Sequence, residues 1–201
     1  MTEKNLIIFV KNPVEGKVKT RLAATIGNKN ALIIYQALLN HTKELVLEID
    51  AKRYLFYDQK IEVNDSWKSE LFIKKEQSDG DLGLRMMNAF SEVIDNELTK
   101  TIIIGSDCIE LNSEIVEYAF QCLDSNDIVI GPAEDGGYYL LGMKSLHKNL
   151  FIDKSWSTEF LLKETIHTVE KEKLSFKLLP TLSDVDSEND LNDGLRTLIK
   201  A

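Results

Sequence analysis

A carboxylate follows an apolar, strand-like run at two points of this 201-residue chain. Asp107 comes shortly after the run 102–104, and Asp135 comes shortly after the run 128–130. Ligands of open α/β sheets bind at the carboxyl ends of the strands. A carboxylate in that position can bind Mg²⁺ or Mn²⁺, or it can orient an acceptor hydroxyl group and remove its proton. The two segments together predict a ligand site.

The segment around Asp135 also contains two glycines followed by aromatic residues. Gly136 and Gly137 allow a ligand to come close to the backbone, and Tyr138 can form a wall of the site. A glycine-rich surface turn is the alternative explanation of this segment.

A basic loop follows the first apolar run. Its four basic residues within eleven positions are Lys11, Lys17, Lys19 and Arg21. Lysine and arginine supply positive charge to phosphate, and backbone N–H groups just before a helix bind anions. The loop lacks the GxxxxGK[ST] pattern of a Walker A motif. It predicts a phosphate site, and a solvated basic loop is the alternative.

Two further polar segments precede helices. In the segment 77–85, Arg85 lies one turn inside a predicted helix, from which it could reach a phosphate. The segment 184–191 is acidic, and one of its carboxylates could complete a metal site with Asp107. Ordinary capping of a helix N-terminus is the alternative for the acidic segment.

The composition indicates one soluble domain, residues 1–201. Apolar residues make up 43% and charged residues 28%, and 33 acidic against 24 basic side chains give a net charge of −9. This charge argues against binding of nucleic acid or anionic lipid. No apolar run approaches the length of a membrane span. The two cysteines form no CxxC pair, and we expect a cytoplasmic protein.

Apolar patterns predict alternating strands and helices. Strands are predicted at 6–10, 54–57, 71–73, 102–104, 128–130, 138–141 and 176–179. Helices are predicted at 30–49, 82–98, 112–123 and 158–172, with a last one from Ser187. Short apolar runs without alternation indicate strands covered on both faces, so we expect an α/β fold with a mixed, mainly parallel sheet. The interval between residues 130 and 138 is too short for a crossover helix and predicts an antiparallel connection.

Taken in chain order, these motifs resemble the DUF2064 group of bacterial GT-A-like transferases, relatives of the nucleotide-diphospho-sugar transferases. The matching motifs are Lys11-x-Pro13-x-x-Gly16-x-x-Lys19-Thr20-Arg21-Leu22, Gly80-Asp81-Leu82-Gly83-x-Arg85-Met86, Gly105-Ser106-Asp107, Gly131-Pro132-Ala133-x-Asp135-Gly136-Gly137-Tyr138 and Asp184-Val185-Asp186-Ser187. The first motif also resembles the 2-phospholactate guanylyltransferases. Three positions depart from the pattern: Ile109 for Pro, Ser187 for Thr and Asn189 for Glu.

The resemblance implies a single GT-A/Rossmann-like three-layer sandwich with the nucleotide in its N-terminal half. The implied nucleotide and phosphate contacts are Lys11, Pro13, Gly16, Lys19, Thr20, Arg21, Gly80, Asp81 and Arg85. Asp107 and Asp186 would hold Mg²⁺ or Mn²⁺. Asp135, Gly136, Gly137 and Tyr138 would line the acceptor or sugar side.

These expectations describe a metal-dependent glycosyltransferase that uses a nucleotide-sugar donor and a small-molecule acceptor. Lys19 and Asp135 are its predicted catalytic residues. Nucleotidyl transfer from an NTP with release of pyrophosphate is the alternative reaction. A nucleotide-binding module without catalysis is the alternative from another class of protein.

Overall fold

The computed structural model of the protein describes residues 3–94 and 99–199. Within these residues one sheet contains the strands β1 (Lys4–Val10), β2 (Lys52–Tyr57), β3 (Ile73–Glu76), β4 (Lys100–Ile104), β5 (Ile128–Pro132), β6 (Tyr138–Met143) and β7 (Phe176–Leu178). The helices are α1 (Thr20–Ile26), α2 (Asn28–Leu47), α3 (Leu82–Val93), α4 (Ser113–Cys122), α5 (Leu161–Lys171) and α6 (Asp193–Ile199). Short 3₁₀ turns occupy Lys148–Leu150 and Glu188–Asp190.

The sheet is parallel except for one strand. Its order is β3-β2-β1-β4-β6-β5-β7, and β6 runs antiparallel to both of its neighbours, β4 and β5. β5 and β6 form a hairpin in which Pro132 pairs with Tyr138, which confirms the predicted antiparallel connection. The carboxyl ends of β1, β4 and β5 therefore meet at the end of the sheet where β6 begins.

Helices cover both faces of the sheet. One core cluster joins the sheet to α2 and α4 and includes the buried rings of Tyr35 and Phe120. A second cluster joins the opposite face to α3 and α5 and includes Phe90. Ile7 and Ile8 belong to different clusters because successive side chains of a strand point to opposite faces. The result is the predicted α/β fold, a three-layer sandwich.

Side-chain caps fix the start of two helices. The carboxylate of Asp81 accepts a hydrogen bond from the backbone N–H of Leu84 at 2.8 Å, at the start of α3. The side chain of Asn112 accepts from the N–H of Ile115 at 3.0 Å, at the start of α4. Both bonds satisfy N–H groups that the first helical turn leaves without a partner.

The sequence patterns missed α1 and misplaced β3. Helix α1 buries a single side chain, Leu22, so it produces no apolar repeat. The third strand begins at Ile73, where the predicted run 71–73 ends, and continues through polar residues. An edge strand needs less apolar sequence because it is covered less completely. Phe72 instead packs edge-on against Trp67, with ring centroids 5.0 Å apart.

Three predicted helices differ at their ends. The predicted helix 82–98 is α3 as far as Val93, and residues 95–98 lie outside the described residues. Helix α5 begins at Leu161, three residues later than predicted. Ser187 begins a 3₁₀ turn, and the last helix starts only at Asp193. In the described part of the chain, no helix is both long enough and apolar enough to cross a membrane.

Candidate active site

A cavity of about 430 Å³ opens at the carboxyl ends of β1 and β4. Its basic residues are Lys11, Lys17, Lys19 and Arg21, and its carboxylates are Asp107, Asp135, Asp184 and Asp186. Thr20, Gly137 and Tyr138 also line it. The structure thus brings the basic loop, both strand-end segments and the acidic segment together around one space.

Lys19 connects the basic loop to two of the carboxylates. Its Nζ atom lies 3.1 Å from Oδ2 of Asp107 and 3.1 Å from Oδ1 of Asp186. The Lys19 side chain is only 4% exposed, whereas the two carboxylates are about two-fifths exposed. Burial alone would lower the pKa of Lys19, but the charges of the two aspartates outweigh it and raise the pKa above the ordinary lysine value. Lys19 is therefore charged.

The backbone at Lys19 is unusual. Its φ of 47° and ψ of 46° place it in the left-handed region, immediately before α1. Residues other than glycine rarely adopt this conformation, which costs about 1–2 kcal/mol. The surrounding contacts must hold it, as is common at functional sites.

The acidic segment is held against the end of β4 by the backbone. The N–H of Val185 donates to the carbonyl oxygen of Asp107 at 2.9 Å. The N–H groups of Asp186 and Ser187 both donate to Oδ2 of Asp190, at 3.0 and 2.6 Å. These bonds fix Asp186 beside Asp107, although the two residues are far apart in sequence.

Asp184 and Asp186 have different surroundings. Asp186 also lies 3.5 Å from the guanidinium group of Arg21, at the mouth of the cavity. Asp184 is the more buried of the two, and burial, followed by the negative charge of Asp107, raises the pKa of Asp184 to about 7. The ion pairs with Lys19 and Arg21 favour Asp186 as the partner of Asp107.

Tyr35 of α2 supports the site, although none of the sequence motifs includes it. Its hydroxyl group accepts a hydrogen bond from the N–H of Lys11 at 2.7 Å and donates one to the carbonyl oxygen of the same residue at 3.1 Å. The hydroxyl oxygen of Ser106 lies 3.3 Å away. Tyr35 therefore ties the start of the basic loop to the segment before Asp107.

A tight turn holds Asp135. Its Oδ1 atom accepts a hydrogen bond from the N–H of Gly137 at 2.8 Å. Gly136 has a φ of +86°, and a methyl group there would lie 2.3 Å from the carbonyl oxygen of Glu159. Only glycine fits this position, but Gly136 is not part of the cavity lining, so its predicted place on the acceptor or sugar side stays a prediction. Gly136 shapes the turn, whereas Gly137 and Asp135 face the cavity.

Trp156 forms a wall that the sequence patterns did not predict. Its ring lies edge-on to Tyr138 at a centroid distance of 6.3 Å, and both residues line the cavity. A methyl group at Gly83 would lie 2.2 Å from the indole nitrogen, so Gly83 leaves room for the ring. The hydroxyl group of Tyr138 is buried without a hydrogen-bond partner among the described residues.

Five residues predicted to contact nucleotide lie outside the cavity lining: Pro13, Gly16, Gly80, Asp81 and Arg85. Gly16 makes a turn with a φ of +74°. Arg85 donates to Oε1 of Gln77 at 2.9 Å, and the Gln77 side chain in turn donates to the carbonyl oxygens of Val10 and Phe56. The side chain of Arg85 is thus used to hold strand ends together.

The carboxylates of Asp107 and Asp186 fit a hard divalent cation. A cationic group, the ammonium of Lys19, already lies between them. Among the described residues there is no cluster of three or more potential metal ligands. Mg²⁺ commonly takes only one or two carboxylates from the protein and completes its coordination with phosphate and water. The donor set therefore suits Mg²⁺ or Mn²⁺ brought in with a phosphate ligand.

The chain is similar to a known protein family and to a named relative. The family model described as "Uncharacterized protein conserved in bacteria (DUF2064)" matches residues 41–158. The 2-phospho-L-lactate guanylyltransferase of Methanocaldococcus jannaschii is 26% identical over 195 residues, which cover 94% of this chain and 82% of that protein.

Solved structures share the whole fold. One is the structure of a proposed nucleotide-diphospho-sugar transferase from Desulfovibrio desulfuricans G20. It is 27% identical to this chain with a TM-score of 0.85, and the match covers 100% of this chain and 98% of that chain. The inositol-1-phosphate CTP transferase from T. maritima has a TM-score of 0.65 and 13% identity, with 99% and 96% covered. The second likeness shows a common fold.

Proposed function

The chain belongs to the DUF2064 family, and from that premise we propose that it is a metal-dependent nucleotidyltransferase. It would transfer a nucleoside monophosphate from an NTP to a small acceptor and release pyrophosphate. That the protein is an enzyme of the transferase class is supported by its relatives, since a guanylyltransferase and a proposed nucleotide-diphospho-sugar transferase both match most of the chain.

One observation carries the proposal: four basic side chains of a single loop line the same cavity as four carboxylates. A triphosphate carries more negative charge than the diphosphate of a nucleotide sugar, so it matches this number of basic groups better. The guanylyltransferase among the relatives supports the same choice. We therefore favour nucleotidyl transfer over the glycosyl transfer that the sequence first suggested.

The reaction would be a displacement at the α-phosphorus of the NTP. An oxygen of the acceptor forms a bond to this phosphorus, the bond from phosphorus to the oxygen that bridges to the β-phosphate breaks, and pyrophosphate leaves. Lys19 and Arg21 would offset the charge that develops on the leaving group. A divalent ion held by Asp107 and Asp186 would supply further charge neutralisation when bound.

Asp135 lies on the acceptor side of the cavity in this scheme. The Gly137 N–H fixes one of its oxygens, so the carboxylate has a defined direction. It would orient an acceptor hydroxyl group or take its proton. Tyr138 and Trp156, whose rings pack edge-on, would form an apolar wall beside the acceptor.

Glycosyl transfer remains the second candidate because the relative from Desulfovibrio is described as a proposed nucleotide-diphospho-sugar transferase. In that reaction the bond between the sugar and the diphosphate breaks, and an NDP is released. The two candidates thus differ in their product. Pyrophosphate is released only in nucleotidyl transfer.

The first experiment is a thermal stabilisation screen with NTPs, NDPs and nucleotide sugars, each with Mg²⁺ or with EDTA. A ligand that binds only the folded protein raises its melting temperature. We expect an Mg²⁺-dependent rise with one or a few NTPs, followed by pyrophosphate release when phosphorylated and hydroxylated acceptors are added. Release of NDP from a nucleotide sugar would establish the second candidate instead. No stabilisation by any nucleotide would contradict both reactions.

A further inference from the structure

Lys19 occupies the space that a cation shared by Asp107 and Asp186 would need. Its Nζ atom is equidistant from one oxygen of each, at 3.1 Å. Mg²⁺ binds carboxylate oxygens at about 2.0–2.1 Å. An ion that bound these same two oxygens would lie between them, where the ammonium group lies now, so the ammonium group would have to move first.

The position of Lys19 is held from several sides. The backbone adopts the left-handed conformation immediately before α1, and its carbonyl oxygen accepts the N–H of Ala23 at 2.8 Å. The side chain is 4% exposed, so its charge has little access to water and depends on the two carboxylates. A buried ammonium group that leaves one pair of anions needs another anion nearby. Under the proposed function, the phosphates of a nucleotide would supply this anion.

Arg21 differs from Lys19 in each of these respects. Among the described residues it forms an ion pair with Asp186 alone, at 3.5 Å and through the other carboxylate oxygen, and its side chain is 76% exposed. Solvent screens such a pair strongly. Arg21 therefore adds positive charge at the mouth of the cavity without occupying the space between the carboxylates.

We propose that Lys19 is a resident counterion that keeps the divalent-metal site closed until nucleotide phosphates draw its ammonium group away. Free metal then binds weakly, and metal and nucleotide enter together. This inference rests on the proposed function, because it takes Asp107 and Asp186 as the metal ligands. It assigns to Lys19 two successive sets of partners, the carboxylates in the ligand-free protein and the phosphates in the complex.

The proposal predicts that one substitution, Lys19→Met, strengthens metal binding without nucleotide and weakens it with nucleotide. Suppose that the ammonium group leaves the space between the carboxylates free in only about a tenth of the molecules. The apparent metal affinity is then about tenfold weaker than that of the open site. Lys19→Met removes the competing cation, so it should bind Mn²⁺ alone about tenfold more tightly than the unaltered protein. In the presence of GTP the same variant should bind Mn²⁺ more weakly, because it has lost a phosphate contact.

The test is a titration of free Mn²⁺, measured by electron paramagnetic resonance, with the unaltered protein, Lys19→Met and the matched control Arg21→Met. Each is titrated without nucleotide and with GTP, or with whichever NTP stabilises the unaltered protein. Arg21→Met should change the affinity for Mn²⁺ alone by no more than about twofold, because its charge is exposed and screened. Circular dichroism melts confirm that each variant is folded. Lys19→Gln, which keeps hydrogen-bond donors but not the charge, replaces Lys19→Met if the latter does not fold.

The outcomes separate this inference from the proposed function. Equal or weaker Mn²⁺ binding by folded Lys19→Met without nucleotide would overturn the resident counterion, even if Mn²⁺ and NTP together bind the unaltered protein. Tight binding of free Mn²⁺ by the unaltered protein would also overturn it. Failure of Mn²⁺ and every NTP to bind the unaltered protein together would instead contradict the proposed function.

Discussion

Two polar loops of this protein precede helices, but they use their charged side chains in opposite ways. The basic loop before α1 directs Lys19 and Arg21 towards the carboxylates of the cavity. The loop before α3 uses Asp81 to cap its own helix and Arg85 to bind Gln77. Both loops have the composition of a phosphate site. The comparison shows that two polar loops of similar position can direct their charged side chains either into a cavity or onto their own helix and its neighbours.

The second loop still shapes the cavity indirectly. Gly83 in the first turn of α3 provides the space into which the ring of Trp156 packs. Leu82 and Met86 of the same helix line the cavity as apolar residues. The basic loop therefore supplies the charged side chains of the cavity, and α3 supplies apolar side chains and the space for the ring of Trp156. Four predictions test this division.

The largest effect is expected at the carboxylate that the basic loop contacts. Asp107→Asn should lower turnover at least about 100-fold, because it removes a proposed metal ligand and weakens binding of the ion whose positive charge would stabilise the transition state. Pyrophosphate release under saturating NTP and Mg²⁺ measures it. Asp50→Asn, an exposed aspartate outside the cavity, is the matched control and should keep normal turnover. A folded Asp107→Asn protein with full activity would contradict the metal site.

Gly83→Ala tests the indirect role of α3. The added methyl group would lie 2.2 Å from the ring of Trp156, which must shift. We expect a loss of about 1–3 kcal/mol in the free energy of unfolding, together with a changed tryptophan fluorescence spectrum. Gly80→Ala is the comparison, because its backbone is strained at a φ of +111° but the methyl group meets only the flexible side chain of Leu84. An unchanged fluorescence spectrum in Gly83→Ala would mean that Trp156 does not pack against Gly83.

A pair of arginines compares the two loops directly. Arg21→Gln should raise the KM for the NTP about tenfold, because it removes a charge at the mouth of the cavity, worth roughly 1.4 kcal/mol. Arg85→Gln should change this KM less than about twofold, because its guanidinium group is engaged by Gln77 outside the cavity lining. Steady-state kinetics of both variants measure these two KM values. A larger effect at Arg85 would reinstate the second loop as a phosphate contact.

The smallest effect is expected from Asp81→Ala, which removes the cap of α3. Loss of an N-cap typically costs about 1 kcal/mol of stability. Urea denaturation should show this loss, while the KM for the NTP stays unchanged. A raised KM without a loss of stability would mean that Asp81 serves the ligand and not the helix.

Sequence patterns predicted most of the fold and about half of the site. The strands before Asp107 and Asp135, and the helix that Asn112 caps, were predicted because apolar runs and caps depend on neighbouring residues. Helix α1 was missed because only Leu22 is buried in it. Trp156 was missed because its role depends on Gly83 and Tyr138, which are distant in sequence. The predicted phosphate contact of Arg85 came from its local composition, which does not reveal the bond to Gln77.

The amino-acid sequence alone was enough to predict where strands end and which loops carry charge. These properties follow from local sterics, hydrophobic periodicity and the charges of adjacent residues. Only the tertiary structure decided which charges meet. Lys19 and Asp186 are 167 positions apart, and they come into contact because the Val185 N–H pairs with the carbonyl oxygen of Asp107. An ion pair depends on the distance and burial of its charges, and folding alone sets both.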